Sequence, residues 1–67
     1  MNVVDFLRKR GWMVAVHNDY RIGGELHTFW LFTKGHFCAK GEGRTDADAL
    51  AQVSQRINEL EAIIHGP

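Results

Sequence analysis

Few side chains in this sequence could bind a metal. The soft-metal ligands are three internal histidines, one cysteine and a histidine near the C-terminus: His17, His27, His36, Cys38 and His65. His36 and Cys38 are two residues apart on a predicted strand, so both point to one face, and imidazole with thiolate suits zinc. A structural zinc site needs four ligands, and no second cysteine is present to pair with Cys38. We therefore predict no metal site and no cofactor, and we interpret Cys38 as a small core residue.

Nucleophilic and acid–base catalysis are also disfavoured. A catalytic cysteine lies in a partly exposed electropositive pocket, whereas the predicted hairpin position of Cys38 indicates burial. Glu59 and Glu61 fall on the polar side of a predicted helix, and Gly41-x-Gly43 is too short for a phosphate loop. The 67 residues form one domain, whose core would be lost to an interior active site of roughly 300–1,000 Å³. We predict that the protein is not an enzyme and takes no small-molecule substrate.

The first half of the sequence predicts one helix and two strands. The helix lies between Asn2, which can cap it, and Gly11, which can stop it. A period of two, in which Trp12, Val14 and Val16 alternate with the next residues along the chain, predicts a strand over Trp12–His17. Asn18–Glu25, with its two adjacent glycines, is predicted to be a polar loop. His27–Thr33 is aromatic and β-branched, which indicates a second strand.

The second half predicts a hairpin and a long helix. Lys34-Gly35 is a candidate two-residue turn, after which His36–Gly41 would return as a third strand. The Thr45 hydroxyl can cap the long helix, which Gly66 and the following proline would end. An apolar stripe at 3-4-3-4 spacing runs along this helix: Leu50, Val53, Ile57, Leu60 and Ile64. The predicted fold class is α+β, in a single domain spanning residues 1–67.

Two short motifs connect these elements. Gly24-Glu25-Leu26-His27 precedes the second strand, and Gly41-Glu42-Gly43-Arg44-Thr45 leads into the long helix. Together with the element order they resemble the double-stranded RNA-binding domain, with its Gly-Pro-x-His loop and Gly-x-Gly-x-Ser/Thr segment. Glu25 replaces the family's proline. The resemblance implies an αβββα two-layer sandwich, a three-stranded antiparallel sheet with two helices on one face, over nearly the whole chain.

The RNA-binding function of that family fits less well. In the family, three lysines at the start of the second helix bind phosphates, and the matching positions here are Asp46, Ala47 and Leu50. The remaining candidates for an RNA-binding surface are Arg8, Lys9, His27 and Arg44. The net charge is zero, whereas nucleic-acid binders usually carry a basic surplus. Binding of double-stranded or structured RNA is therefore the alternative function.

Both faces of the second predicted strand are apolar. If Phe29, Leu31 and Cys38 point inward, the neighbouring aromatics fall on the open face of the sheet. We therefore predict a protein interface formed by Met13, Trp30, Phe32 and Phe37, since these residue types are enriched at interfaces. In the inverted assignment the aromatics form the core, and Phe29, Leu31 and Trp12 face outward. An aromatic sheet face could also stack single-stranded bases, which the neutral charge balance disfavours.

The predicted function is a small non-catalytic binding module that acts through protein–protein contacts, as a dimer or as a regulator or inhibitor of a larger protein. One cysteine excludes an internal disulfide, and no apolar run is long enough to cross a membrane. We expect a cytoplasmic protein that does not contact membranes. The segments VHNDYR, HTFWLFT and KGEGRTDADAL are similar to small uncharacterised proteins of bacterial phages and prophages, which implies no activity.

Overall fold

The computed structural model describes residues 2–66, which form two helices and three strands. Their bounds are α1 Val3–Lys9, β1 Met13–Ile22, β2 Glu25–Lys34, β3 Phe37–Gly43 and α2 Asp46–His65. The strands form one antiparallel sheet in the order β1-β2-β3, so β2 is central. Both helices pack on one face of this sheet. The predicted α+β class and αβββα sandwich are confirmed, and the topology is compatible with a double-stranded RNA-binding-domain-like fold.

Side-chain caps set the starts of both helices. The side chain of Asn2 accepts a hydrogen bond from the backbone N–H of Asp5 at 2.8 Å, and Thr45 accepts one from Asp48 at 3.1 Å. These bonds satisfy N–H groups that the first turn of a helix leaves without partners. The seven-residue α1 is too short to be stable alone. It is held by its buried Leu7, which packs in the core.

The segment predicted as a loop between the first two strands is instead a long β-hairpin. β1 and β2 continue to Ile22 and Glu25, which pair directly, and only Gly23-Gly24 form the turn. These glycines have φ values of +58° and +85°, as a two-residue hairpin turn requires. The loop prediction was wrong because the polar residues belong to a part of the strands that the helices do not bury.

The second hairpin turns one residue later than predicted. Gly35 and His36 form the turn, with Gly35 at φ +59°, and Lys34 pairs with Phe37. His36 is therefore in the turn, and the third strand does not begin there. The predicted turn implies that Thr33 pairs with His36, whereas its partner is Cys38. This shift of two residues leaves the side chains of β3 on the same faces relative to those of β2.

The predicted interface was assigned to the wrong face of the sheet. Trp30 and Phe32 are 8% and 0% exposed, and they pack under α2 in the core. Phe37 lies on the same side and packs partly buried against that core, whereas Met13 is 69% exposed on the opposite face. The inverted assignment is correct for β2 but not for Trp12, which is fully buried. Because both faces of β2 are apolar, periodicity alone could not decide between them.

Cys38 was predicted to be a core residue and is exposed. It pairs with Thr33 on the face that points away from α2. On the face beneath the helix, its neighbour Ala39 takes the small core position and is 1% exposed. The prediction that Cys38 lies on the same face as Leu31 is confirmed, but Leu31 pairs with Lys40 and the shared face is the open one.

The apolar stripe of α2 forms the seam with the sheet, as predicted. Val53, Ile57 and Leu60 are buried, and Leu50 and Ile64 pack partly buried beside them. The helix approaches β3 so closely that a Cβ at Gly41 would overlap the carbonyl oxygen of Ala49. None of the helices described over residues 2–66 is long and apolar enough to span a membrane.

Candidate functional site

The side of the sheet that faces away from both helices is here called the open face. Its side chains alternate with those of the core along each strand: Met13, Val16, Asn18, Tyr20 and Ile22 on β1, His27, Phe29, Leu31 and Thr33 on β2, and Cys38, Lys40 and Glu42 on β3. A bulge between Val14 and Val16 changes the alternation, so that Met13 and Val16 share this face. Of this set, only Met13 is among the interface residues predicted from the sequence.

The centre of the open face is apolar. Val16 and Leu31 are cross-strand partners, and Phe29 lies two residues from Leu31 on the same face of the central strand. Val16 is 40% exposed, and Phe29 and Leu31 are half-buried by their neighbours in the sheet. On β3 the partners of Leu31 and Phe29 are Lys40 and Glu42. The apolar centre therefore has one cation and one anion along its β3 side.

Tyr20 orders the hairpin end of the open face. Its ring stacks on His27 with centroids 5.6 Å apart, and its hydroxyl donates to Glu42 at 2.9 Å. That hydrogen bond to the carboxylate is the main cause that raises the pKa of the Tyr20 phenol. The contact spans all three strands, so it fixes the side chains at this end of the surface.

A shallow depression lies at the β3 edge of the sheet, between the open face and α2. Its volume is about 520 Å³, and its lining combines apolar and basic side chains: Leu31, Cys38, Lys40, Gln52 and Arg56. The lining supplies a thiol and two cations but no imidazole or carboxylate that could act as a general base. The depression therefore adjoins the open face and lacks the groups of a nucleophile–base pair.

The four residues predicted for RNA binding do not form one patch. His27 and Arg44 lie around Glu25, which accepts two hydrogen bonds from Arg44 at 3.0 and 2.8 Å and approaches His27 at 3.8 Å. Arg8 and Lys9 are in the last turn of α1. The turn after α1 contacts the C-terminal end of α2, whereas Arg44 precedes its N-terminus, and a 20-residue helix spans about 30 Å.

The start of α2 carries an ionised carboxylate where the family has lysine. Asp46 Oδ1 accepts hydrogen bonds from the indole N–H of Trp30 at 3.1 Å and from the Thr28 hydroxyl at 3.2 Å. The Trp30 bond is the largest cause that lowers the pKa of Asp46. His17 stacks on Trp30 with ring centroids 3.7 Å apart and lies 3.5 Å from the same oxygen.

These contacts create one cluster that is not predicted from the sequence. Ligand atoms of His17, Asp19 and Asp46 lie within 4.8 Å of one another, and all three residues are exposed. His17 and Asp19 share a face at two-residue spacing, which was a usable signal, but only the fold brings Asp46 beside them. Asp46 Oδ1 already accepts two hydrogen bonds from the sheet, so these contacts fix the first turn of α2. The same cluster positions His17 over Trp30.

Glu61 was predicted to be solvated and is buried instead. It is 8% exposed, and its Oε1 accepts a hydrogen bond from the Trp12 indole N–H at 2.9 Å. Arg10 and Lys34 approach the same oxygen at 3.4 and 3.6 Å, and His65 Nε2 lies 2.8 Å from Oε2. This cluster closes the end of the core around Trp12, so its role is structural.

No family model, curated protein or solved structure matches this chain. The fold is therefore established by the geometry of the chain itself, through its element order, its antiparallel sheet and its helices on one face. Its function has to be inferred from the surfaces that this fold leaves exposed. The open face is one such surface, and it carries neighbouring large apolar side chains that neither described helix covers.

Proposed function

We propose that this protein is a cytoplasmic, non-catalytic module that binds a protein partner through the open face. The observation that carries the proposal is the position of the half-buried Phe29 and Leu31 on the central strand, beside the exposed Val16, where neither described helix covers the sheet. Neighbouring large apolar side chains on an open surface are typical of binding sites. The proposed surface keeps Met13 from the sequence prediction and replaces the three buried or partly buried aromatics.

The composition of the open face supports a protein as the partner. Protein interfaces combine an apolar centre with a polar rim, and here Lys40 and Glu42 flank Leu31 and Phe29 on β3. The ordered Tyr20 adds an aromatic ring whose hydroxyl is already satisfied. The complementary partner surface is an apolar patch edged by one acidic and one basic side chain.

Two features weigh against the RNA alternative. Asp46 occupies a position that would face phosphate, and the Trp30 indole favours its charged form. Arg44, the candidate cation closest to it in sequence, is bound by both oxygens of Glu25. Phosphate neutralisation supplies most of the affinity of RNA-binding proteins, and this surface offers little of it.

The open face is tested by a charge placed in its centre. Leu31→Lys should keep the fold, because the long side chain can extend into solvent, and should weaken capture of the protein partner from host lysate about tenfold or more. The matched control is Gln55→Lys, which adds the same charge on the exposed side of α2 and should bind like the parent. The captured protein is identified by mass spectrometry, and its binding is remeasured with purified components.

Salt dependence separates the two candidate functions. Docking through an apolar face should change little between 50 and 200 mM salt, whereas a protein with 6–10 phosphate contacts loses about 10³–10⁵ in affinity over that range. Capture of the same protein by the Leu31→Lys variant at parental strength would contradict the proposal. Recovery of RNA with a steep salt dependence would establish the alternative in its place.

A further inference from the structure

The two edges of the sheet are protected to different degrees. At the β3 edge, the backbone N–H of Glu42 donates to the side chain of Gln52 on α2 at 3.2 Å. The outer edge of β1, over Met13–Ile22, has no strand beside it within the part of the chain that the structure describes. A long unpaired edge is a template for pairing with another strand.

The two-residue turn determines which backbone groups of β1 point outward. Ile22 and Glu25 flank the turn and form a hydrogen-bonded pair, after which hydrogen-bonded and non-hydrogen-bonded pairs alternate along the hairpin. The N–H and C=O groups of His17, Asp19 and Arg21 therefore point to the free edge. Their side chains all lie on the helix side of the sheet, because they alternate with those of the open face.

We propose that a second copy of this chain pairs with the outer edge of β1 in antiparallel orientation, about a twofold axis through Tyr20. This axis places Asp19 opposite the partner's Arg21 and Arg21 opposite the partner's Asp19. The two outward-facing residues on each strand then exchange backbone hydrogen bonds, and two ion pairs form on the helix side. The inference concerns the edge of the sheet and goes beyond the proposed function of the open face.

The charges select this register over its neighbours. An axis through Asp19 would oppose that residue with its own copy and would set His17 against the partner's Arg21, and like charges opposite each other are destabilising. An axis through Asn18 would pair Asp19 with a histidine that already stacks on Trp30. Of these three registers, only the one with its axis through Tyr20 places a permanently charged arginine, Arg21, opposite a carboxylate, Asp19.

The groups that would form these contacts are available. The Asp19 side chain is 60% exposed, and the ion-pair contact described for it is His17 at 3.8 Å. Arg21 donates one N–H to the carbonyl of Gly24 at 3.1 Å, which leaves its other N–H groups for a carboxylate. The Tyr20 ring leans toward His27 and Glu42, away from the free edge.

Pairing about Tyr20 is limited at each end by the Gly23-Gly24 turn of one of the two copies, because Asn18 already lies opposite the partner's Ile22. The contact is small relative to stable interfaces of about 1,600 Å², so the dimer should be weak and reversible. It would join two sheets into one of six strands and set two open faces side by side. The proposed binding surface would then be presented twice.

The test uses charge reversal with complementation. Asp19→Arg and Arg21→Asp each oppose like charges in a homodimer, so each should weaken self-association about tenfold or more. Mixed together, the two variants form a heterodimer in which both cross-strand contacts again join an arginine to an aspartate, which should restore the parental affinity. Sedimentation of the parent up to about 1 mM should approach twice the 7.6 kDa chain mass.

A matched control removes the effect of net charge. A fluorescent Asp19→Arg chain, labelled at its N-terminus, should associate more tightly with Arg21→Asp than with Lys9→Asp, which has the same net charge but keeps Arg21 and so opposes one pair of like charges. A parent that stays monomeric up to about 1 mM, or a dimer that Arg21→Asp leaves intact, would overturn the proposal. Leu31→Lys should still dimerise, so failure of the edge contact and failure of the open face are distinguishable.

Discussion

The indole N–H of Trp12 donates to Glu61 Oε1 at 2.9 Å and joins two residues that are 49 positions apart in sequence. Trp12 is fully buried in the turn between α1 and β1, and Glu61 is in the last turns of α2. Arg10 and Lys34 lie beside the carboxylate, so its charge is compensated where the core ends. The contact ties both helices and the sheet together at one point.

Glu61 makes the stability of the fold depend on pH. The hydrogen bond from Trp12 is the main cause that lowers the Glu61 pKa, with Lys34, His65 and Arg10 contributing in the same direction. A lowered folded-state pKa stabilises the fold above the unfolded value of about 4.3, and this stabilisation is lost as the pH falls through the folded value. Glu61→Gln should therefore lower the melting temperature at pH 7, and the difference from the parent should shrink on acidification.

The control for this experiment is Glu59→Gln, which removes the same charge from an exposed residue two positions away. It should melt close to the parent at neutral pH, because an exposed i,i+3 pair such as Glu59 with Arg56 adds little stability. Thermal denaturation followed by circular dichroism at several pH values gives both comparisons. If the difference in melting temperature between the parent and Glu61→Gln stayed constant down to acid pH, the role given to Glu61 would be contradicted.

Trp30 should behave as a core residue. Trp30→Ala removes a side chain that is 8% exposed and packed under α2, and changes of this kind cost about 3–5 kcal/mol. A single small core rarely supplies more than about 3–5 kcal/mol in total, so the variant should be largely unfolded. Met13→Ala, at a residue 69% exposed on the open face, should change stability by less than about 0.5 kcal/mol. Chemical denaturation measures the free energy of unfolding of both variants. Equal losses of this free energy in Trp30→Ala and Met13→Ala would refute the assignment of Trp30 to the core.

Local signals in the sequence were sufficient for the element order. The caps at Asn2 and Thr45 and the stripe through Val53 and Ile57 depend on residues within a few positions of each other, and all of them are confirmed. The face of β2 was not predictable in the same way. Trp30 and Leu31 are both large and apolar, so the choice between them is made by the path of α2 over the sheet.

The polar contacts of the molecule were missed for a related reason. Asp46 and Glu61 look like surface carboxylates of a helix, and only the fold places an indole N–H beside each of them. The hairpin tip gave a clearer signal, because Gly23-Gly24 is a typical two-residue turn. The polar character of its flanking residues reflects strands that extend beyond the helices, and it was mistaken for a loop.

Gly41 should not tolerate a side chain. A Cβ at this position would overlap the carbonyl oxygen of Ala49 and lie 2.9 Å from the backbone nitrogen of Val53. Both are backbone atoms of α2 and cannot move without displacing the helix, so Gly41→Ala should destabilise the fold by about 1–3 kcal/mol. Lys40→Ala, at the adjacent exposed position, is the matched control. Equal melting temperatures for the two variants would mean that α2 does not rest on β3 at this point.

The seam between α2 and the sheet is tested by two adjacent residues of the helix. Ile57 is fully buried, and truncation of such a residue to alanine costs about 2–5 kcal/mol, so Ile57→Ala should unfold most of the population. Arg56 is exposed and pairs with Glu59 at 3.0 Å, so Arg56→Ala should cost less than about 0.5 kcal/mol. Thermal denaturation of the two variants compares them directly. If Ile57→Ala melted like the parent, the apolar stripe would be a free surface, and both the two-layer fold and the open face defined against it would have to be abandoned.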